Sequence, residues 1–485
     1  MTSGMHSAIP ARVHLVGIGG MHMSAIARIL LAWGHAVSGS DQRRSPLTDA
    51  LEALGARVFI GHDAANVGEA DLVVTTSAAA SDNPELAEAG RRGITAIKRA
   101  EMVARLMEGR HGVCIAGTHG KSTTSGLVAF LLSAAGRDPT YLIGAEVTGL
   151  GTNAAAGAGP HVVVEADEYD RAFLSYSPRV ALVTNVEPDH LDYYKTFDAV
   201  KEAFAGFVAN VVPGGVVILC ADSPGAMELR AAVGQGRNVE TYSMRHDLRI
   251  RTSPRAGWVA RLSSEAGGAA AGASGAQAFH VIRYGEDLGE FRTALAGVHN
   301  ISNALGAIAV CSSLGLTPEE MRGPLARYAG VRRRFEVIGE ADGVLVMDDY
   351  AHHPTEVEAT AAAARARFPG RRIVALFQPH TYARTRYLLD GFRTCFRALD
   401  RLFILETYAA REAIADGMTA EQLALEVVAP PATYVATFEA AAEAVAAELR
   451  PGDVFFTVGA GDVDAVGPLV LDRLRQRGAV KGART

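Results

Sequence analysis

No apolar run in this chain reaches the roughly 18 residues needed to cross a bilayer. No charged start, short apolar stretch and small-residue cleavage site open it either, so neither membrane spanning nor secretion is expected. Cysteine is scarce. Cys114, Cys220, Cys311 and Cys395 stand far apart in apolar surroundings, which excludes a disulfide framework and a cysteine-based zinc site and fits reduced core thiols in the cytoplasm. A dominant sign of charge is also lacking. The 47 Lys and Arg against 53 Asp and Glu leave a net −6, so no basic field invites nucleic acid and no acidic tail offers a disordered arm.

What the chain has is length and alternation. At 485 residues it is too long for one core, and about three domains are expected. Many of the 51 glycines read as strand-to-helix turns, apart from a Gly-, Ala- and Ser-rich run at 263–277 that reads as a hairpin loop without function.

The chain is organised around residues 113–124, V-C-I-A-G-T-H-G-K-S-T-T: an apolar strand, a two-glycine turn, then lysine and hydroxyls. Glycines let backbone N–H groups curl around an oxyanion, a helix N-terminus favours negative charge there, and lysine adds a point charge. Gly117, Thr118, His119, Gly120, Lys121, Ser122 and Thr123 are therefore candidate phosphate ligands. The spacing is two residues shorter than G-x-x-x-x-G-K-[ST], so a generic ATPase or GTPase loop is not what is written.

Upstream, a strand at 13–16 runs into Gly17-Ile18-Gly19-Gly20-Met21-His22-Met23-Ser24 and a helix, and a second strand ends at Asp41. This is nearly the dinucleotide fingerprint, with Asp41 spaced to hold a ribose. His22 stands where the third glycine belongs, which disfavours a nicotinamide cofactor and leaves a diphosphate at the helix end. A further strand at 71–76 leads into Ser77. Downstream of the phosphate loop, strands at 161–164 and 180–183 end in the acidic clusters Glu165-Ala166-Asp167-Glu168-Tyr169-Asp170 and Glu187-Pro188-Asp189-His190. Ligands collect at the carboxyl ends of parallel strands, so both clusters should face the loop. Ser122, Glu165 and His190 would then suit Mg²⁺, which takes a few protein oxygens beside nucleotide phosphates.

Short alternating strands follow from 258 to 296, and then Asn300 and Asn303, at i and i+3 on one helical face, suit reading a base edge; N-capping explains one of them equally well. From 331 the pattern is again α/β. Its strands at 344–347, 373–377, 402–405 and 454–458 end in polar clusters that include Asp349, Tyr350, His352, His353, His380 and Arg384. The run Arg332-Arg333-Arg334 offers at least one guanidinium to a γ-phosphate. Zinc is not expected, because neighbouring His352 and His353 do not both ligate easily and no H-E-x-x-H or cysteine pair accompanies them.

The order GIGG, GTHGKSTT, EADEYD, TNVEPDHLDYY, GVHNISNAL, RRFE, DDYAHHPTE, FQPHTYART and GAGD, covering almost the whole chain, resembles the Mur ligase family. The resemblance implies three α/β domains: a Rossmann-like UDP-sugar-binding domain (1–107), a central P-loop-type ATP-binding domain with a mixed sheet (108–330) and a Rossmann-like amino-acid-binding domain (331–485). It implies ATP and Mg²⁺ as cofactors, and ATP-dependent amide formation between UDP-N-acetylmuramate and L-alanine through an acyl phosphate in peptidoglycan precursor synthesis. The protein would be a monomer or weak homodimer. Carried over by motif, Lys121, Glu165, His190 and Arg334 are catalytic, and Asn300, Asn303, Arg334 and Asp349 join the loop around ATP. Gly17, Gly19, Gly20, His22, Met23, Ser24, Asp41 and Ser77 hold the UDP-sugar, and Tyr350, His352, His380 and Arg384 the amino acid. Three positions depart from the family pattern: Ser122 where threonine is commoner, His22 for glycine, and Thr381 where many members carry arginine.

Two other enzyme readings stand beside this one, a murein peptide ligase that accepts a preformed tripeptide and a nicotinamide-dependent oxidoreductase; a catalytically silent binding protein is the third alternative. Sites drawn from three domains also imply that the protein closes around its substrates.

Overall fold

The structure is a computed structural model that describes residues 9–76, 79–80, 82–244, 257–263, 276–410, 412 and 417–482. The chain builds three sheets in succession. The first holds β1 (Arg12–Val16), β2 (Ala36–Asp41), β3 (Arg57–Ile60), β4 (Leu72–Thr75) and β5 (Thr95–Lys98), all parallel, in the order β3-β2-β1-β4-β5. Strand order reverses between β1 and β4, which opens a crevice at their carboxyl ends. The glycine turn after β1 lies there.

The second sheet has ten strands. Its parallel part contains β6 (His111–Ala116), β7 (Thr140–Val147), β9 (His161–Glu165), β10 (Val180–Val183), β11 (Val216–Cys220), β12 (Asn238–Ser243) and β13 (Trp258–Leu262). β8 (Thr152–Ala155) pairs antiparallel to β7 at one edge, and β14 (Gln277–Arg283) and β15 (Glu286–Thr293) form antiparallel steps at the other, so the sheet is mixed. β6 sits between β9 and β10, so the ends of all three strands converge on the phosphate loop. The third sheet contains β16 (Glu336–Ala341), β17 (Val344–Asp349), β18 (Ile373–Phe377), β19 (Arg401–Leu405), β20 (Ala432–Val435) and β21 (Val454–Val458), parallel except for β16. The edge strands β3, β5, β16 and β20 escape a reading by hydrophobic run because nearly all their residues are exposed or only partly buried. The hairpin run at 263–277 falls largely outside the described residues.

Two helices show why the second layer is rigid. Lys121–Ala134 and Val298–Ser313 are apolar around most of their circumference and are buried along most of their length against the sheet and each other. Such all-round burial marks an interior helix. All four cysteines are buried free thiols, as expected.

The three units are joined in two different ways. One continuous apolar cluster runs from Leu15, Leu72 and Leu106 of the first into Cys114, Val164 and Val183 of the second. The third has its own clusters. It meets the second mainly through polar side chains, after a segment in which Arg332 N donates to Glu146 O and Val331 bridges Val147.

Candidate functional site

The phosphate loop owes its shape to two glycines in left-handed or related conformations. Gly117 has φ +138°, and a Cβ there would lie 2.0 Å from Thr184 Oγ1; Gly120 has φ +80°, and a Cβ there would lie 2.5 Å from Asn303 Oδ1. No other residue fits either place. Asn185 pins the turn, accepting from Thr118 N through its carbonyl (3.1 Å) and from His119 N through its side chain (2.8 Å). The helix Lys121–Ala134 then begins with no side-chain cap, so its first N–H groups point into the site unpartnered.

Lys121 Nζ donates to Gly117 O at 2.6 Å and lies 2.9 Å from Glu168. Burial alone would lower its pKa, but Glu168, Asp167 and Glu165 outweigh this and raise it, so the ammonium is permanent. Ser122 Oγ donates to Glu165 Oε1 at 3.0 Å, and Gly144 N holds the other carboxylate oxygen at 2.7 Å. His190, in a left-handed conformation, places Nε2 3.8 Å from Glu168 and 3.7 Å from Asp189. Of the expected magnesium trio, Ser122 and Glu165 touch directly, while His190's contacts are with Glu168 and Asp189.

A cavity of about 700 Å³ opens between the second and third units. It is lined by His119, Gly120 and Thr123 of the loop, Asn300 and Asn303 of one helix, and Arg334 and Asp349 from the third unit. Asn303 Nδ2 donates to Asn300 Oδ1, and Asn300 Nδ2 donates to Ala296 O, so neither amide caps the helix; Gly297 is the cap. His299, also in the lining, is held neutral at a pKa of about 4 by burial and by Arg334.

The three arginines separate in function. Arg332 pairs with Glu336 on the exposed side, and Arg333 is bound to Asp348 and to the carbonyls of Gly459 and Gly461. Arg334 faces the cavity, 3.3 Å from Glu356 and stacked over Tyr350 at 5.3 Å. Its neighbours Arg333 (φ +60°) and Phe335 (φ +54°) are left-handed non-glycines, a strained stretch that aims the guanidinium. Asp349 accepts from Phe335 N and Ala351 N; burial, opposed by Arg334 and those bonds, still lifts its carboxyl to about 6.

Tyr350, His352 and His380 form a ring cluster, with centroids 5.6 Å apart for the first pair and 5.8 Å for the second. Tyr408 stacks on His380 at 5.5 Å. Burial holds His352 near 3 and His380 near 4, so both are neutral acceptors or donors. Arg384 donates to His380 Nδ1 at 2.8 Å and to Asp189 Oδ1 across the seam at 3.0 Å. Thr381 is left-handed (φ +66°) and caps the following short helix.

In the first unit, Gly17 N and Ile18 N are both bonded to Ser40 O, and Gly19 N to Asp41 Oδ2. Asp41 thus braces the glycine turn. Met23 is a core residue and Ser24 Oγ turns back to Met21 O, so what this turn offers a ligand is the uncapped start of helix Met21–Ala32. His22 lies at the seam with the second unit, held neutral by burial and Arg99, within the field of Glu165 and Asp167. Ser77 lies outside the described residues.

Five further residues belong to the site by geometry: Glu168, Glu187, Asp189, Glu356 and Tyr408. Glu168, Glu187 and Asp189 were visible as strand-end carboxylates, and Tyr408 as a polar residue at the end of β19; Glu356 is made relevant only by packing between units.

A phosphate loop, an arginine and a cluster of rings brought together from separate α/β units define an ATP-using ligase architecture. Residues 12–111, 115–311 and 333–461 match in turn the family models described as Mur ligase family, catalytic domain; Mur ligase middle domain; and Mur ligase, glutamate ligase domain. The chain belongs to the Mur ligase family. Similar proteins include the UDP-N-acetylmuramate–L-alanine ligase of Anaeromyxobacter sp. (strain Fw109-5), 45% identical over 96% of this chain and 98% of that protein. The protein of that name from Solidesulfovibrio magneticus is 43% identical, over 96% and 99%. The solved UDP-N-acetylmuramate-alanine ligase of Thermotoga maritima has a TM-score of 0.76 at 26% identity, covering 96% of this chain and 99% of that one. A murein peptide ligase from Psychrobacter arcticus shares the fold, with a TM-score of 0.71 at 24% identity over 96% and 99%. Membership of this family sets aside the nicotinamide-dependent reading. No helix among the described residues is long and apolar enough to cross a membrane.

Proposed function

We propose that the protein joins L-alanine to the muramic carboxylate of UDP-N-acetylmuramate, using ATP, in the cytoplasm. The observation that carries this reading is the meeting, across one seam, of the Lys121 loop with Arg334 and the ring cluster of Tyr350, His352 and His380. Relatives 43–45% identical over nearly the whole chain bear the name of that activity and specify alanine.

In this reading the domains divide near residues 108 and 331. Lys121 and the uncapped helix start hold the β and γ phosphates, Asn300 and Asn303 face the base, and Arg334 meets the charge that develops as the phosphoryl group transfers to the carboxylate. Ser122, Glu165 and Glu168, with His190 beside them, form a hard, oxygen-rich donor set that fits Mg²⁺. When bound, that ion neutralises charge on the phosphates. The amine must reach the acyl phosphate unprotonated. Neutral His352 and His380 do not repel it, and His352, whose Nδ1 gives its hydrogen to Tyr350 O, can accept its hydrogen bond at Nε2, while Arg384 attracts the carboxylate. The sugar diphosphate rests on the start of helix Met21–Ala32.

The test is phosphate release from ATP and Mg²⁺ with UDP-N-acetylmuramate, with and without L-alanine, followed by product mass. Release that needs both and a gain of one alanyl residue is expected. Release only with an L-alanyl tripeptide would move the assignment to a peptide ligase.

A further inference from the structure

The phosphate loop's His119 meets two groups that neither ATP nor the amino acid requires. His119 Nε2 lies 3.3 Å from Glu187 Oε2, and its ring packs 4.5 Å from that of His353, which arrives from the third unit. One donor atom from each of His119, Glu187 and His353 lies within 4.8 Å of the other two. Four-coordinate zinc holds its ligands at 2.0–2.2 Å, which sets them about 3.3 Å apart. The His119–Glu187 pair already has that spacing, and the third ligand needs a shift of at most about 1.5 Å across a polar seam.

The second shell argues more strongly. A metal-binding histidine typically gives its other ring N–H to a carboxylate or a backbone carbonyl, which fixes the tautomer and turns the free nitrogen to the metal. Both histidines are built this way. His119 Nδ1 faces Glu356 Oε1 at 3.3 Å, so its Nε2, now hydrogen-bonded to Glu187, gives up a proton to take the ion; His353 Nε2 faces Pro188 O at 3.2 Å, and its Nδ1, which caps the following helix through a long 3.3 Å bond from Thr355 N, exchanges that bond for the ion. Thr355 Oγ1 in turn donates to Glu187 Oε2 at 2.8 Å and orients that carboxylate. Two imidazoles and one carboxylate make a borderline-soft set suited to Zn²⁺ or Co²⁺ rather than Mg²⁺, with a fourth position open to the cavity that His119 and Glu187 line. The set is distinct from Ser122, Glu165, Glu168 and His190.

We propose that His119, Glu187 and His353 form a binding site for a divalent transition metal of the zinc class, assembled only when the third unit sits on the phosphate loop. Because its ligands come from both sides of the seam, the bound ion staples the closed form and slows each turnover.

Tag-free, chelator-treated protein titrated with Co²⁺ in excess Mg²⁺ should bind one ion per chain, with the visible bands of four-coordinate Co²⁺. His353→Asn keeps a helix-capping side chain but removes the ring, and should weaken this binding at least tenfold; Zn²⁺ should inhibit phosphate release from the parent protein and much less from this variant. His190→Ala, at the magnesium set, should leave the Co²⁺ bands in place. Equal binding by the parent and His353→Asn, or bands lost in His190→Ala instead, would overturn the proposal. If circular dichroism shows His353→Asn unfolded, Glu187→Gln decides by the same criterion, since it keeps an acceptor for Thr355 while removing the charged ligand.

Discussion

At the scale of single residues, the site works by sorting charge states. Lys121 is held charged by Glu168, whereas His352 and His380 are held neutral by burial. Arg384 is the residue whose chemistry is least replaceable in the proposed amino-acid site, because Thr381 supplies no second guanidinium and its one planar fork spans His380 and Asp189. Arg384→Lys keeps the charge but loses the fork. It is expected to raise KM for L-alanine about tenfold or more, a cost of roughly 1.4 kcal/mol or above, while KM for ATP changes little. Steady-state kinetics with each substrate varied would check this, and equal changes in both constants would count against the assignment.

At the scale of elements, the phosphate loop and the first sheet each rest on one local arrangement. Gly120→Ala puts a side chain into a left-handed residue, at roughly 1–2 kcal/mol, and drives its Cβ onto Asn303. ATP affinity should fall more than tenfold, as read by nucleotide titration, with thermal stability lowered by only a few degrees. In the first unit, buried Glu85 accepts from Ser40 at 2.6 Å and Asn66 at 2.7 Å and faces His14 at 3.6 Å. Burial pushes its carboxyl up, but the bonds from His14, Ser40 and Asn66 prevail and hold it at about 2. A depressed pKa stabilises the fold above the unfolded value near 4.5, and that contribution, roughly 3 kcal/mol, drains away as pH falls towards 2. Denaturant unfolding between pH 6 and 2.5 should show this slope, flattened in Glu85→Gln.

At the scale of the whole molecule, the two seams differ in kind. The first and second units share one apolar core, which has no reason to open in water. The second and third are held by Arg384–Asp189, Arg334–Glu356–His119 and His353–Pro188, contacts that water and substrate can replace. Closure should therefore be a motion of the third unit alone, hinged at the strained residues 333–335. Small-angle scattering of Asp189→Asn should show an expanded particle that an ATP analogue and the sugar nucleotide together compact again. An unchanged profile in both states would remove the hinge.

Much of this was legible in the sequence because it is local. A two-glycine turn before Lys121, buried strands that end in carboxylates and a helix with Asn300 and Asn303 on one face are each written in a few consecutive residues, since backbone conformation and hydrophobic period are local properties. The half-exposed edge strands were not, because they bury too little to leave a pattern. What only the tertiary structure decided is which distant residues meet. The spacing of the three arginines does not say that Arg334 alone faces the cavity, that Asp41 braces its own glycine turn, or that Glu356 joins His119 to Arg334. Sequence alone argued against zinc from His352 beside His353, whereas the fold pairs His353 with His119, more than 200 positions away in the chain. Such pairings depend on how the units pack, and packing is a property of surfaces that a one-dimensional pattern does not encode.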